Sequence, residues 1–577
     1  MPLRLPTKPK KGKSKQLNID YTSLDSARSS APGDWDDENW LQEGTRQEEQ
    51  SERYLAGPKA QRHAQNALTC YRLSASLSPS SFDARYNAAR VFQSLATEHL
   101  SSPTCLEALE TAIGGYREAL AVLNEGENGT ARIDALFNLA QADAALYEML
   151  DEGVSAVERE TERALQAAKE AKDCFVEVEK LQRVAMEAFF GAGGPQNGNE
   201  EADESFDAAG LDTGGQTMEV EAVETTIVTP HLIVDTLLES IALDVALSSS
   251  ISDPNEQAAL QHSAVNSLSR ANTLRALIPR SSSGPDELDL DLALAQASIL
   301  ATFSPASHEA TSFLQSFLSS FPSPRVELLS AYADQLLESL DLSQPFDSLL
   351  VSLKNILAIY EQSAALLSDR LSPPKHTPAA HIPSFLSANL VSQGNSHLLA
   401  YTLASRFPSS SSLPPAQLAE HLSQAHTLSL CAITAAKSGL SLAISNTFTP
   451  SPSSPLARPP LAFVRAPAST DPRTNWRTLS AVRSALFTLV RVRLRLSPPD
   501  GAEENEEKER KTVWALWRAL GLAVGRAGGE GEERERQLKR REVRWWIEES
   551  GEDKVSEAMS EEDRARERGW WERLAEM

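Results

Sequence analysis

The residues that could do chemistry are plentiful in this 577-residue sequence, but they are not arranged for it. Phosphoryl transfer needs a GxxxxGK[ST] cradle, and hydrolysis needs something like an HExxH pair or a GxSxG turn. None of these is present, nor is a GxGxxG loop following a strand-like run. The ten histidines are scattered. His376 and His381 sit in a Pro-rich stretch, and His421 and His426 are five apart, which does not place them on one helical face. Cys70, Cys105, Cys174 and Cys431 form no CxxC pair and read as reduced, buried, small apolar residues. Paired carboxylates lie in highly charged segments, where they solvate rather than catalyse. No catalytic set, metal site or cofactor is predicted, and the chain reads as a non-enzyme.

Residues suited to recognition are better placed. Six of the nine tryptophans fall near the C-terminus: Trp514, Trp517, Trp545, Trp546, Trp570 and Trp571. Trp and Arg dominate protein–protein hot spots, so segments such as "VRWWIEE" and "RGWWERL" are candidate contact surfaces. Equally, the rings could anchor terminal helices onto the rest of the fold. At the other end, Arg4, Lys8, Lys10, Lys11, Lys13 and Lys15 form a block without an acid, a candidate import signal or a solvated basic tail. Trp35 and Trp40, in an acidic setting, suggest a short docking element onto the first helices or onto a partner.

These residues need elements to hold them. Apolar side chains make up 41% of the chain and aromatics 6%, with abundant Ala and Leu and little β-type alternation. That composition predicts an all-α protein. Eighty acids against 55 bases leave a net charge of −25, which disfavours phosphate-backbone binding and suits solubility or a basic protein partner. The N-terminus lacks the apolar run of a secretory signal, and no stretch approaches the roughly 20 apolar residues of a membrane span. The expectation is a cytoplasmic or nuclear location, without membrane contact.

Along the chain, residues 1–55 read as a disordered tail and 56–190 as strongly helical. Residues 191–228 hold nine acids and no Lys or Arg, and read as a disordered acidic insert. Helical patterning resumes over 229–443, starting at Thr229 as N-cap and Pro230 at the first position. Further helices are predicted near 257–277, 286–303, 325–340, 346–370, 384–405 and 415–442. Residues 444–475 are a Pro/Ser-rich linker, and 476–577 form charged, Trp-bearing helices.

Within 56–190 a spacing recurs. Ala67, Tyr71 and Ser74 stand four and three apart, as do Ala112, Tyr116 and Ala119, and then Ala171, Phe175 and Val178. The preceding helices carry Asn87-Ala88-Ala89 and Asn138-Leu139-Ala140. Two helices approach closely only where small side chains face each other, and an aromatic one turn on fills the next gap. With Pro79 closing the first unit, this resembles the tetratricopeptide repeat, a 34-residue helical hairpin that stacks into a solenoid. The second unit has a connection longer by roughly eleven residues. After 229 the pattern is looser, with Ala264, Leu268, Ala271 and Pro279.

The resemblance implies a groove lined by the first helices of successive units, receiving an extended segment of a partner. At matching positions the groove presents Tyr86, Asn87 and Arg90, then Phe137, Asn138 and Gln141. An Asn amide both donates and accepts and so can clamp a peptide bond, while Arg90 suits a carboxylate. The alternative is that the asparagines tie neighbouring helices together. The clamp that holds Hsp70/Hsp90 tails is not expected. The first unit, placed near "QEEQSERYLAGPKAQRHAQ", lacks the required Gly-Asn pair, and Phe137 and Gln141 stand where basic residues are needed. Two readings follow: an interaction scaffold, or a dedicated chaperone that shields a basic client such as a ribosomal protein or histone with its acidic insert. RNA binding is disfavoured, because the basic residues at 534–544 are interleaved with acids.

Overall fold

The computed structural model describes residues 19–54, 58–100, 104–123, 129–151, 161–191, 228–279, 285–304, 308–321, 323–371, 381–406, 414–438, 476–496, 503–519, 540, 542–547 and 553–576. Among them every regular element is a helix. In chain order these are α1 (Leu24–Ser30), α2 (Asp37–Tyr54), α3 (Pro58–Leu77), α4 (Phe82–Ser94), which runs into a π-helical turn (Leu95–His99), α5 (Thr104–Val122), α6 (Gly129–Asp151) and α7 (Thr161–Gly191). They continue with α8 (Pro230–Ser250), α9 (Pro254–Arg275), α10 (Glu287–Phe303), α11 (Glu309–Leu318), α12 (Val326–Glu338) and α13 (Phe346–Leu371). Last come α14 (His381–Arg406), α15 (Pro415–Ser438), α16 (Trp476–Leu496), α17 (Glu503–Ala519), α18 (Lys554–Ala558) and α19 (Glu561–Glu576). None of the described helices is long and apolar enough to cross a membrane.

Local sequence sets many of the boundaries. Ser81 caps α4 by accepting from the Ala84 amide. Asp253 caps α9 with Pro254 at its first position, where a missing N–H costs nothing. Asp286 and Asp289 form a capping box on α10. The buried Arg275 at the end of α9 closes onto both carboxylates at 2.8 and 2.9 Å, which fixes the angle of the α9–α10 turn. Thr229 does precede α8, but its side chain makes no capping hydrogen bond.

From α2 to α16 each helix packs on the next in sequence. The even-numbered helices also meet one another, α2 on α4 and so on to α14 on α16. This is an all-α solenoid of helical hairpins, α2/α3 through α14/α15, with the even helices along the tighter, inner side.

The spacing seen in three odd helices is the organising register of all seven hairpins, α2/α3 to α14/α15. Ala67, Tyr71 and Ser74 on α3, Ala112, Tyr116 and Ala119 on α5, and Ala171, Phe175 and Val178 on α7 are all buried. The same four-and-three step continues as Ala264, Leu268 and Ala271 on α9, and as Ala310, Leu314 and Phe317 on α11. It recurs as Ile356, Tyr360 and Ser363 on α13 and Ala425, Ser429 and Ala432 on α15. Three of these tyrosines reach back to the even helix of their own hairpin: Tyr71 donates to Glu48, Tyr116 to Gln93 and Tyr360 to Asp334. Each buried ring contributes about 1.5–3 kcal/mol, and its hydroxyl is satisfied where it emerges at the inner side.

Several expectations change. Residues 19–54 are not a disordered tail. Trp35 and Trp40 pack edge to face, 4.7 Å between centroids, in a core with Cys70 and Leu73, so this docking element lies on the chain's own helices. The leading helix of the first hairpin is α2, earlier than the segment around "QEEQSERYLAGPKAQRHAQ". Its small residue is Gly44, where a Cβ would stand 2.5 Å from the Tyr71 ring. Helix α11 was not anticipated, because ten residues with Ser and Thr give a short periodic signal. Residues 1–18, 192–227 and 439–475 lie outside the described residues, and with them most of the acidic insert and the linker.

Candidate functional site

The even helices are joined along the inner side by polar side chains. Glu48 on α2 pairs with Arg90 on α4. Tyr86 on α4 accepts from Asn138 on α6 at 2.9 Å. Gln141 on α6 reaches Glu239 on α8 at 3.4 Å, and the Tyr147 hydroxyl donates to the Ala246 carbonyl at 3.1 Å. Ser392 on α14 donates to Asp334 on α12, Asn389 donates to Ser330, and Thr488 on α16 donates to Asn395 on α14. Such links join α2 to α4, α4 to α6, α6 to α8, α12 to α14 and α14 to α16, and they fix the stacking of those hairpins.

Four of the six candidate groove residues, Tyr86, Arg90, Asn138 and Gln141, take part in these links and are already engaged. Arg90 holds Glu48 and sits over the Tyr86 ring, 5.9 Å from its centroid. Tyr86 stacks on Phe82 and meets Tyr116. Asn138 also donates to the Asp134 carbonyl of its own helix, and Phe137 packs edge to face on Phe175. The reading in which asparagine ties helices together describes Asn138. Asn87 differs: it is half-buried and makes no hydrogen bond among the described residues, so its amide keeps both donor and acceptor.

The middle of the inner side is acidic, which the groove reading did not anticipate. Asp235 on α8, Glu287 and Asp291 on α10 and Glu327 on α12 come from three successive even helices. Partial burial, together with Glu287, Asp235 and Glu327, pushes the Asp291 carboxyl up against the pull of His231. Burial also raises Asp235. Glu287 is met by Arg325 at 2.7 Å, and His231 lies 3.9 Å from Asp235. Asp235, the Glu287–Asp291 pair and Glu327 are far apart in sequence and come together through the solenoid stacking.

The C-terminal tryptophans do not form an exposed hot spot. Trp514, Trp517, Trp546, Trp570 and Trp571 are buried in one core with Val482, Leu486 and Val490 of α16. Trp514 donates its indole N–H to the Leu574 carbonyl at 3.1 Å, whereas those of Trp517, Trp546 and Trp571 find no acceptor among the described residues. Trp545 is half-buried under the Arg483 guanidinium, 3.9 Å above its ring. The rings act as the anchor of the terminal helices, as the alternative reading had it. Beneath them the fully buried Arg491 grips Asp553 and Glu567 and donates to Ser556 at 2.8 Å. The basic block with Lys8, Lys10, Lys11, Lys13 and Lys15 lies outside the described residues.

No three His, Cys, Asp or Glu side chains converge as metal ligands among the described residues. Cys70 and Cys105 are buried, Cys174 and Cys431 half-buried, and all four are free thiols. His421, which the sequence set beside His426, instead meets His397 of α14, Nδ1 to Nδ1, at 2.9 Å.

No family model matches the chain, and no curated protein matches it. Among solved structures it is similar to a "circular tandem repeat protein with novel repeat topology and enhanced subunit contact surfaces". That match has 13% identity and a TM-score of 0.17, over 93% of this chain and 98% of that one.

Proposed function

We propose that this helical-repeat chain is a non-catalytic protein-interaction scaffold, with tetratricopeptide-like hairpins whose inner side receives an extended, basic segment of a partner protein. The supporting observation is the convergence of Asp235, Glu287, Asp291 and Glu327 from α8, α10 and α12 on that side, where burial, and after it the like charges, raise Asp291. Repulsion among these carboxylates is relieved when a Lys- or Arg-rich strand lies across them, so partner binding and charge relief are coupled. Asn87, two hairpins away, offers an amide for a backbone clamp. The second reading, a chaperone for a basic client, places the charge instead in the acidic insert, and the nine acids of residues 191–228 are its support. In either case a cytoplasmic or nuclear partner is expected.

Affinity purification separates the two. The intact chain, a chain lacking 192–227, and a chain with Asp235→Lys, Asp291→Lys and Glu327→Lys are compared at low and moderate salt. A partner kept by the deletion and lost by the charge reversal supports the inner groove. A partner lost with the deletion and kept by the reversal overturns it in favour of the insert.

A further inference from the structure

A cleft of about 230 Å³ opens between α14, α16, α17 and α19, over the tryptophan core. Four guanidiniums line it: Arg493 and Arg495 from α16, Arg566 and Arg573 from α19. In a chain of net charge −25 this is a local reversal of sign. On α19 the lining residues Arg566, Trp570 and Arg573 are spaced by four and three and so share one helical face.

The carboxylates nearby are already committed. Both oxygens of Glu567 are taken, Oε1 by Arg491 and Oε2 by Arg495. Glu506 is shared by Arg510 and Arg573 at 3.3 and 3.2 Å. Asp563 accepts from the Ser560 hydroxyl at 2.7 Å, and its backbone N–H donates to that same hydroxyl oxygen at 3.1 Å. Arg495 directs one N–H at the Met559 thioether, 3.1 Å away, a weak acceptor for so strong a donor. Arg566 makes no hydrogen bond or ion pair among the described residues. The uncommitted fork of Arg566 beside Arg573, which spends one nitrogen on Glu506, matches a tetrahedral oxyanion, which accepts from several directions at once.

We propose that this cleft binds the phosphate group of a small phosphorylated molecule, with Arg566 and Arg573 as its principal donors and Arg493 and Arg495 at its back. A cleft of this volume fits a phosphate or diphosphate group rather than a whole nucleotide.

The test is titration of the full chain with pyrophosphate at constant ionic strength, read by calorimetry and by the shift in Tm. Arg566→Ala and Arg573→Ala are each compared with Arg568→Ala. Arg568 is an exposed arginine of the same helix that pairs with Glu572 and does not line the cleft. Saturable binding in the parent chain, weakened about tenfold in Arg566→Ala and Arg573→Ala but not in Arg568→Ala, is the expected result. Far-UV circular dichroism of each variant checks that the helices are intact, and Arg566 is exposed, so its removal leaves packing untouched. The proposal is overturned if no saturable binding occurs, or if Arg568→Ala weakens it as much as Arg566→Ala.

Discussion

The side-chain amide of Asn138 on α6 donates a 2.9 Å hydrogen bond to the phenolic oxygen of Tyr86 on α4. Both residues occupy positions where the tetratricopeptide resemblance put a ligand-facing groove, and they meet each other across two hairpins. Breaking this link is expected to loosen hairpin stacking. Asn138→Ala and Tyr86→Phe should each cost about 1 kcal/mol in urea unfolding, and the double variant should cost less than their sum. Strict additivity would show that the two groups do not interact in solution.

Two glycines should respond to alanine with opposite signs. At Gly114 in α5 an added Cβ meets nothing within 4 Å, so Gly114→Ala should stabilise by about 0.5–1 kcal/mol through helix propensity. At Gly44 in α2 the Cβ would stand 2.5 and 2.7 Å from Tyr71 ring carbons, so Gly44→Ala should destabilise by about 1–3 kcal/mol. Thermal unfolding of the two variants beside the parent measures both.

The tryptophan core should show the same kind of contrast. Trp571 is fully buried, and Trp571→Ala should cost about 3–5 kcal/mol and release α19 to rapid amide exchange. Trp545 is half-buried beneath Arg483, and Trp545→Ala should cost only about 1 kcal/mol. If Trp545→Ala instead abolished partner capture while leaving exchange unchanged, Trp545 would be a contact residue after all.

Asp143 is buried between α6, α5 and α7, and burial pushes its carboxyl from 3.8 up to about 7. Arg117 pulls the other way only weakly, at 4.0 Å, since it is half exposed and also engages Glu170. The folded chain thus holds this proton more tightly than the unfolded chain does. The resulting stabilisation is complete below the ordinary value of 3.8 and is lost as pH rises towards about 7. Asp143→Asn should remove that loss. Its stability should exceed the parent's above neutrality, and its urea midpoint should vary less across this window.

His397 titrates with the opposite sign. Burial, with His421 beside it, lowers its pKa from 6.5 to about 3, so the fold requires the neutral ring. The stability it contributes is present above 6.5 and declines as pH falls towards about 3. His397→Gln should flatten the acid limb of the stability profile while leaving the neutral plateau within about 1 kcal/mol. An unchanged acid limb would mean that the imidazole is already protonated in the fold.

Much of the architecture was legible because helical packing repeats at fixed spacing. The Ala67–Tyr71–Ser74 step and its two successors predicted buried crossings, and all nine residues are buried. Helix positions after 229, α11 excepted, were also legible, since Pro and Ser punctuate them. The register beyond α7 was not, because Leu268, Leu314 and Ser429 stand where the early hairpins carry aromatics. Packing needs a side chain that fits the local gap, and this requirement admits several residue types. The candidate groove was half legible: four of its residues do link neighbouring even helices, but which side chains are spent on their neighbours depends on atoms no periodicity specifies.

The sequence alone determined the helical class, the close approach of small residues within each hairpin and the excess of acidic charge, because these follow from composition and from contacts within one or two turns. Only the tertiary structure decided that the tryptophans face inward, that Asp235, Asp291 and Glu327 share one side of the solenoid, and that four arginines surround one cleft. Each of these brings together residues from separate helices, and their separation is set by how hairpins stack, a long-range outcome to which every crossing along the solenoid contributes.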